Sequence, residues 1–214
     1  MKKILFAIIA LLLCNAGWAQ KALTAKEAAS VETEIKAAAA KVNTIESNFS
    51  QVKHVGGMTR DLSSTGIFRY KKSNRVRFDY TLPFKYQLVV NGNKVKMSSN
   101  GKSKVYNASA NPAMSEAASM LSACMTGDLQ TLKTKYNLAY YQSNNEYEIR
   151  VTPKTANAMM QSITLHMRKA DKMLTRMRIM EKTKPGKKES DYTEYKFTNE
   201  KQNSALADAL FAIN

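Results

Sequence analysis

The groups in this 214-residue chain that could do covalent or acid–base chemistry are few: two histidines, two cysteines and 17 acidic residues. His54 borders the Gly56-Gly57 break, and His166 falls on the polar side of an alternating run. Neither sits in a cluster with metal-ligand spacing, so no metal and no cofactor are expected. Nucleophile-elbow and phosphate-loop patterns are missing from the sequence. Most acids stand beside Lys or Arg, as solvated pairs do rather than an acid–base dyad. Cys124 lies in the apolar run 117–125, where a thiol acts as a small hydrophobe. These residues point away from catalysis, and the chain is read as a non-enzyme.

Two other sets of residues carry more. Eleven of the 12 methionines lie beyond the first residue, and several fall at inward strand or helix positions: Met97, Met114, Met120, Met167, Met173 and Met177. Methionine is flexible and polarisable, and it recurs on surfaces that accept irregular apolar ligands. The second set is cationic. Arg69, Lys71, Lys72, Arg75 and Arg77 lie in one hairpin, and Arg176, Arg178 and Lys182 lie on another. So dense a charge of one sign favours docking on an acidic surface.

The elements that position these residues follow from periodicity. Residues 1–19 have the form of a cleaved secretory signal: Lys2 and Lys3, an apolar run over 4–13, then Gly17-Trp18-Ala19. Cys14 would suit lipidation, but Leu13 precedes it where a small residue is wanted. Without Lys2 and Lys3 the net charge falls from +16 to +14, which suits anionic partners. An exported chain makes nucleic acid the least favoured of them. Residues 20–214 then form one domain, long enough for a real core and with no internal disulfide.

Thr24-Ala-Lys-Glu27 is a capping box that opens a helix to Ala40. A strand over 44–55 alternates around Ile45, Phe49 and Val52. Residues 66–96 read as four antiparallel strands. Val76, Phe78 and Tyr80 point one way and Arg75, Arg77 and Asp79 the other, with a turn at 71–74 and a hairpin at Asn91-Gly92. A methionine-rich helix over 113–125 follows. Later strands include 162–168, with Ile163, Leu165 and Met167 on one face, and 173–181, with Met173, Met177 and Ile179 facing in. Leu174 and Met180 break that last alternation. A short helix over 204–212 closes the chain. The expected architecture is α+β: a single curled antiparallel sheet of about eleven strands, an incomplete barrel. Its concave apolar face must be covered by helices, drawn from the N-terminal, 113–125 and C-terminal segments.

The stretch from Gly66 to Gly92 resembles the periplasmic outer-membrane lipoprotein carrier family, LolA. The resemblance rests on Gly66-x-Phe68, the Lys71-Lys72 turn, Arg77-Phe78-x-Tyr80, Pro83 and Gln87–Val90 before Gly92, with Phe49-Ser-Gln51 in support. It implies a chaperone that shields lipoprotein acyl chains and carries them from an inner-membrane exporter to an outer-membrane acceptor, acting as a monomer. The acyl pocket would be lined by Phe49, Phe68, Val76, Phe78, Tyr80, Met97, Met114, Met120, Ile163, Leu165, Met167, Met173, Met177 and Ile179. Val76 stands where the family has an aromatic, which predicts a wider pocket. Lys72 matches the basic residue that latches the family's lid, without the planar fork of arginine. Arg176, Arg178 and Lys182 would dock partners. Two further readings stay open: an envelope sensor or adaptor domain of the same fold, and a carrier of an anionic glycolipid.

Overall fold

The computed structural model describes residues 20–108, 120–155, 160–183, 185–186 and 189–213. Met114 and residues 1–19, expected to be a leader, lie outside the described residues.

One sheet of 12 strands organises the chain, in the order β1-β8-β9-β10-β11-β12-β2-β3-β4-β5-β6-β7. One meander comprises β2 (Thr44–His54), β3 (Leu62–Lys71), β4 (Arg75–Leu82), β5 (Tyr86–Asn91), β6 (Lys94–Ser99) and β7 (Lys102–Asn107). The other comprises β8 (Tyr136–Gln142), β9 (Glu146–Pro153), β10 (Met160–Arg168), β11 (Leu174–Glu181) and β12 (Tyr192–Gln202). Antiparallel pairing of β12 with β2 joins the two halves. β1 (Lys21–Ala22) pairs with β8 at the outer edge. It is the strand beyond the expected eleven, and two residues are too few to leave a period. β1 and β7 do not pair, so the sheet curls without closing.

Helix α1 (Ala25–Ala40) begins as its capping box demands. Thr24 Oγ1 accepts from the Glu27 amide, and Glu27 accepts from the Thr24 amide at 2.8 Å. This holds the Glu27 carboxyl down at about 2, the Thr24 backbone bond being the largest cause. Val31 and Ile35 are buried, and so is Glu32. Residues 120–126 form α2, and Leu129–Leu132 a further turn, α3. Gly127, at φ +67°, ends α2 against α1; a Cβ there would lie 2.9 Å from the Ile35 carbonyl. One apolar cluster joins α1, α2 and α3 to the concave face of the sheet.

Several sequence expectations need correction. The β5–β6 turn sits on Gly92-Asn93, since Asn91 pairs with Lys94. Gly92 supplies the positive φ of +57° at the first turn position, an arrangement that tolerates the same flanking strands. Met173 precedes β11 rather than opening it. Met167 pairs with Leu174 and His166 with Arg176, so Thr175 is an extra, bulged residue. The bulge turns Leu174 inward and accounts for the broken alternation. On β2 the inward set is Ile45, Ser47, Phe49 and Gln51, which places Val52 on the outer face.

The C-terminal segment is the largest correction. It ends in a 3₁₀ turn (Asp208–Phe211), and it packs on the outer face of β3–β5, not the concave one. Arg77 Nη1 donates to the Leu210 carbonyl at 2.7 Å, Lys71 Nζ to Leu206 at 2.7 Å and Asn91 Nδ2 to Phe211 at 3.0 Å. Arg77 and its register partner Val89 alternate with the inward Val76, Phe78 and Val90. Val89 and Phe211 are both buried, yet outside the main cluster. A strand whose two faces are both covered can bury both sets, and Val89 was the sign of it.

Candidate functional site

The interior between sheet and helices gathers the expected pocket residues. Phe49, Phe68, Val76, Phe78, Met120, Ile163, Leu165, Met167, Met173 and Met177 are buried in one cluster; Tyr80, Met97 and Ile179 pack on its margin. Aromatic rings form its centre. Phe49 meets Phe78 and Tyr80 edge-on at 5.4 and 4.9 Å, and Phe68 meets Phe78 and Phe197 at 4.9 and 5.2 Å. Ile149 and Val151, fully buried on β9, belong to the same lining. Only part of this set was assigned a role from sequence, because inward residues of a curled sheet look alike whichever strand bears them.

Two small voids lie in the interior among the described residues. A void of about 20 Å³ lies between α1, α2 and the β10–β11 turn, against Cys124, Met125, Met167 and Met173. A second, of about 10 Å³, lies beneath Met125 and Met173. A single water needs roughly 10–15 Å³, so neither void holds an acyl chain as it stands. Both voids lie along the seam where α2 meets the sheet. Burial pushes the Cys124 thiol up to about 12, which keeps it inert.

The helices are held differently. α1 is tied by polar contacts. Glu32, 5 % exposed, accepts from Tyr140 Oη, from Gln130 Nε2 at 2.5 Å and from Lys133 Nζ at 2.6 Å. Glu34 pairs with Lys172 at 3.0 Å. Lys72 Nζ donates to the Ala40 carbonyl at 2.8 Å, at the helix end where a cation is favoured. α2 faces the interior with Met120, Ala123, Cys124 and Met125. Among its described residues, Thr126 bonds back to Ser122 within the helix. Glu32 was missed from sequence because an acid in an Ala-rich helix looks solvated; its three donors come from residues about a hundred positions away.

One end of the interior is polar. Tyr80 Oη donates to Gln51 Oε1 at 2.7 Å and lies 3.5 Å from Tyr195 Oη. Burial raises both phenols well above the ordinary value.

The cations divide into two groups. Those of the β3–β4 hairpin are engaged within the chain: Arg69 with Glu46 and Asp79, Lys71 and Arg75 with Asp208, Arg77 with Asp79. Lys71, ahead of Arg75, holds the Asp208 carboxyl low. On β11, Arg178 bonds Glu194 at 2.7 Å and covers the Tyr192 ring. Arg176 Nη2 lies 3.1 Å from the His166 ring nitrogens. Lys182 is exposed just beyond the strand.

The histidines are surface-network residues with opposite electrostatics. His54 Nδ1 lies 2.8 Å from Asp61 and Nε2 lies 3.3 Å from Glu189, and its ring stacks on Tyr192. The Asp61 bond is the main reason its value rises. His166 is mostly buried on the outer face, within 3.6–3.7 Å of Glu146 and Glu148. Burial first, then Arg176, lowers its value. A histidine depressed on folding takes up its proton later than the unfolded chain. Stability held at neutral pH is therefore lost as pH falls from about 6.5 through the folded value. His54 acts in the opposite sense: its contribution is complete below about 6.5 and is lost as pH rises through its raised folded value. With two histidines in the chain, a proton NMR titration should resolve both, His54 above the ordinary value and His166 below it. The reverse order would show that the carboxylates, not burial, govern His166.

Residues 40–214 match the model of the family described as outer membrane lipoprotein carrier protein LolA. A curated relative, the outer-membrane lipoprotein carrier protein of Leptothrix cholodnii, is 34 % identical over 90 residues, a match covering 42 % of this chain and 40 % of that one. Among solved structures, a chain of the Pseudomonas aeruginosa MucA/MucB complex aligns with a TM-score of 0.50 at 15 % identity, over 88 % of this chain and 61 % of the other. A LolA-superfamily protein from Nitrosomonas europaea gives 0.46 at 10 % identity, over 87 % and 97 %. At such identities the likeness to these structures is one of fold.

Proposed function

The chain belongs to the LolA family of outer membrane lipoprotein carrier proteins, and from that membership we propose that it carries acylated proteins across the periplasm. On this reading residues 1–19 direct export and residues 20–214 are the carrier domain. Acyl chains shelter between the concave face and the helices, among Phe49, Phe68, Val76, Phe78, Tyr80, Met97, Met167, Met173 and Met177, with Met114 expected to join them. No bond-making chemistry is required.

The observation that carries the proposal is the seam beneath α2. It is apolar and lined by methionines, with small voids already along it. Each acyl CH₂ kept from water is worth about 0.8 kcal/mol, so several chains repay the parting of one short apolar contact. α1, tied by Glu32, Glu34 and Lys72, is the fixed wall; α2 is the lid. Lys72 thus secures the end of the fixed helix, and its loss would loosen that wall. Arg176, Arg178 and Lys182 are the proposed contacts for the inner-membrane exporter or the outer-membrane acceptor.

The test is native mass spectrometry after co-expression with lipidated and unlipidated forms of one host lipoprotein. A one-to-one complex with the lipidated form alone is expected. Equal binding of both forms would favour an envelope adaptor. Bound free lipid without protein would favour a glycolipid carrier. An empty chain in every case would remove the carrier reading.

A further inference from the structure

The inner stripe of β4 ends at the margin of the pocket, and exposed apolar side chains follow it. Val76 at 1 %, Phe78 at 5 % and the half-buried Tyr80 face the interior; past them a bulge at Thr81 sets Leu82, 63 % exposed, opposite the outward Thr65. Two residues on, in the β4–β5 turn, Phe84 is 79 % exposed. The inner stripe of β3 ends in Leu62, 50 % exposed. β3 and β4 are adjacent, with Thr65 opposite Leu82, so Leu62, Leu82 and Phe84 stand at the same end of the sheet. Among the described residues, most large exposed apolar side chains stand at this end. Solvent-exposed phenylalanine beside leucine does nothing for the core, and such a patch marks a contact surface.

We propose that this end of the sheet is a membrane-contacting tip, which places Phe84, Leu82 and Leu62 among the headgroups of an anionic bilayer. Three features select a bilayer. The side chains project from turns and strand ends rather than lining a groove. Cations flank them: Lys85 follows Phe84, Lys53 stands opposite Leu62, and Arg60 is in the adjoining turn. The acid of that turn, Asp61, is engaged by His54. Apolar tips ringed by basic residues bind anionic interfaces through burial and charge together. This contact extends the carrier reading but does not depend on it.

The experiment is flotation of the exported chain with phosphatidylcholine vesicles, with and without phosphatidylglycerol. Binding is expected with the anionic vesicles and should weaken with salt. The double variant Leu82→Ser, Phe84→Ser should lower the affinity roughly tenfold or more, with thermal unfolding unchanged because both side chains are exposed. Phe84→Trp should shift its emission to the blue on vesicle addition, read as a difference from the parent. A parent that floats with neither vesicle overturns the proposal, as does a double variant that floats like the parent. Loss of a protein partner in the double variant, with vesicle binding intact, overturns it in favour of a protein interface. Uptake of an acylated probe, measured on the same proteins, separates the two readings: its failure in the parent strikes the carrier proposal and leaves the vesicle result to stand alone.

Discussion

Gly66→Ala is expected to destabilise the fold by about 3 kcal/mol or more, at the upper end of what overpacking costs. Gly66 lies opposite Phe49 on β2 and beside Tyr80 on β4, where the β3–β4 register shifts. A Cβ there would lie 2.1 Å from the Asp79 carbonyl and 2.7–2.8 Å from the Phe49 ring. The ring fills the space the glycine leaves. The methyl would have to displace both the ring and a neighbouring strand, in the part of the interior where the aromatic side chains meet. Urea unfolding should show a lower midpoint with little change in slope. Adding Phe49→Leu should restore only part of the loss, since the Asp79 backbone remains in the way. An unchanged midpoint in Gly66→Ala would mean that the sheet yields here at little cost.

Glu32→Ala should cost about 3 kcal/mol, because it strips the acceptor from a buried hydroxyl and an ammonium at once. Tyr140 is the partner that matters most. It is 7 % exposed, and burial ahead of Glu32 itself raises its phenol well above the ordinary value. The Lys133 side chain is 41 % exposed, so its share is small. Glu32→Gln keeps an acceptor and should cost about 1 kcal/mol. A cycle with Tyr140→Phe should show strong coupling. If the two substitutions simply add, α1 is held by its apolar face alone, and the contrast drawn between α1 and α2 fails.

Much of the scaffold was legible because strands with one wet face write their period plainly. Val76, Phe78 and Tyr80 against Arg75, Arg77 and Asp79 gave both the strand and its inward face, and Thr24-x-x-Glu27 gave the start of α1. What escaped depended on distant partners. Nothing near Glu32 in sequence announces Tyr140. Val52 and Gln51 differ in face by one step of register, and hydrophobicity favoured the wrong one. Thr175 bulges because of its pairing with β10, which no local pattern records. The basic hairpin looked like a docking surface, yet Lys71, Arg75 and Arg77 are occupied by a strap from the far end of the chain, Arg69 by Glu46 and Asp79, and Lys72 by the end of α1. Phe84 was passed over since a phenylalanine beside proline looks like ordinary turn packing until its exposure is known.

The two ends of the sheet, β1 and β7, never meet. A closed barrel has its girth set by strand number and stagger, and widening it means breaking a ladder. Here the ring is split. Its circumference can grow by a slight relaxation of twist at each strand joint, every hydrogen bond being kept. On the proposed carrier reading, such a container would grip loads of different thickness with one set of walls, and it would spread the strain of a large load around the whole hoop instead of concentrating it at the proposed lid.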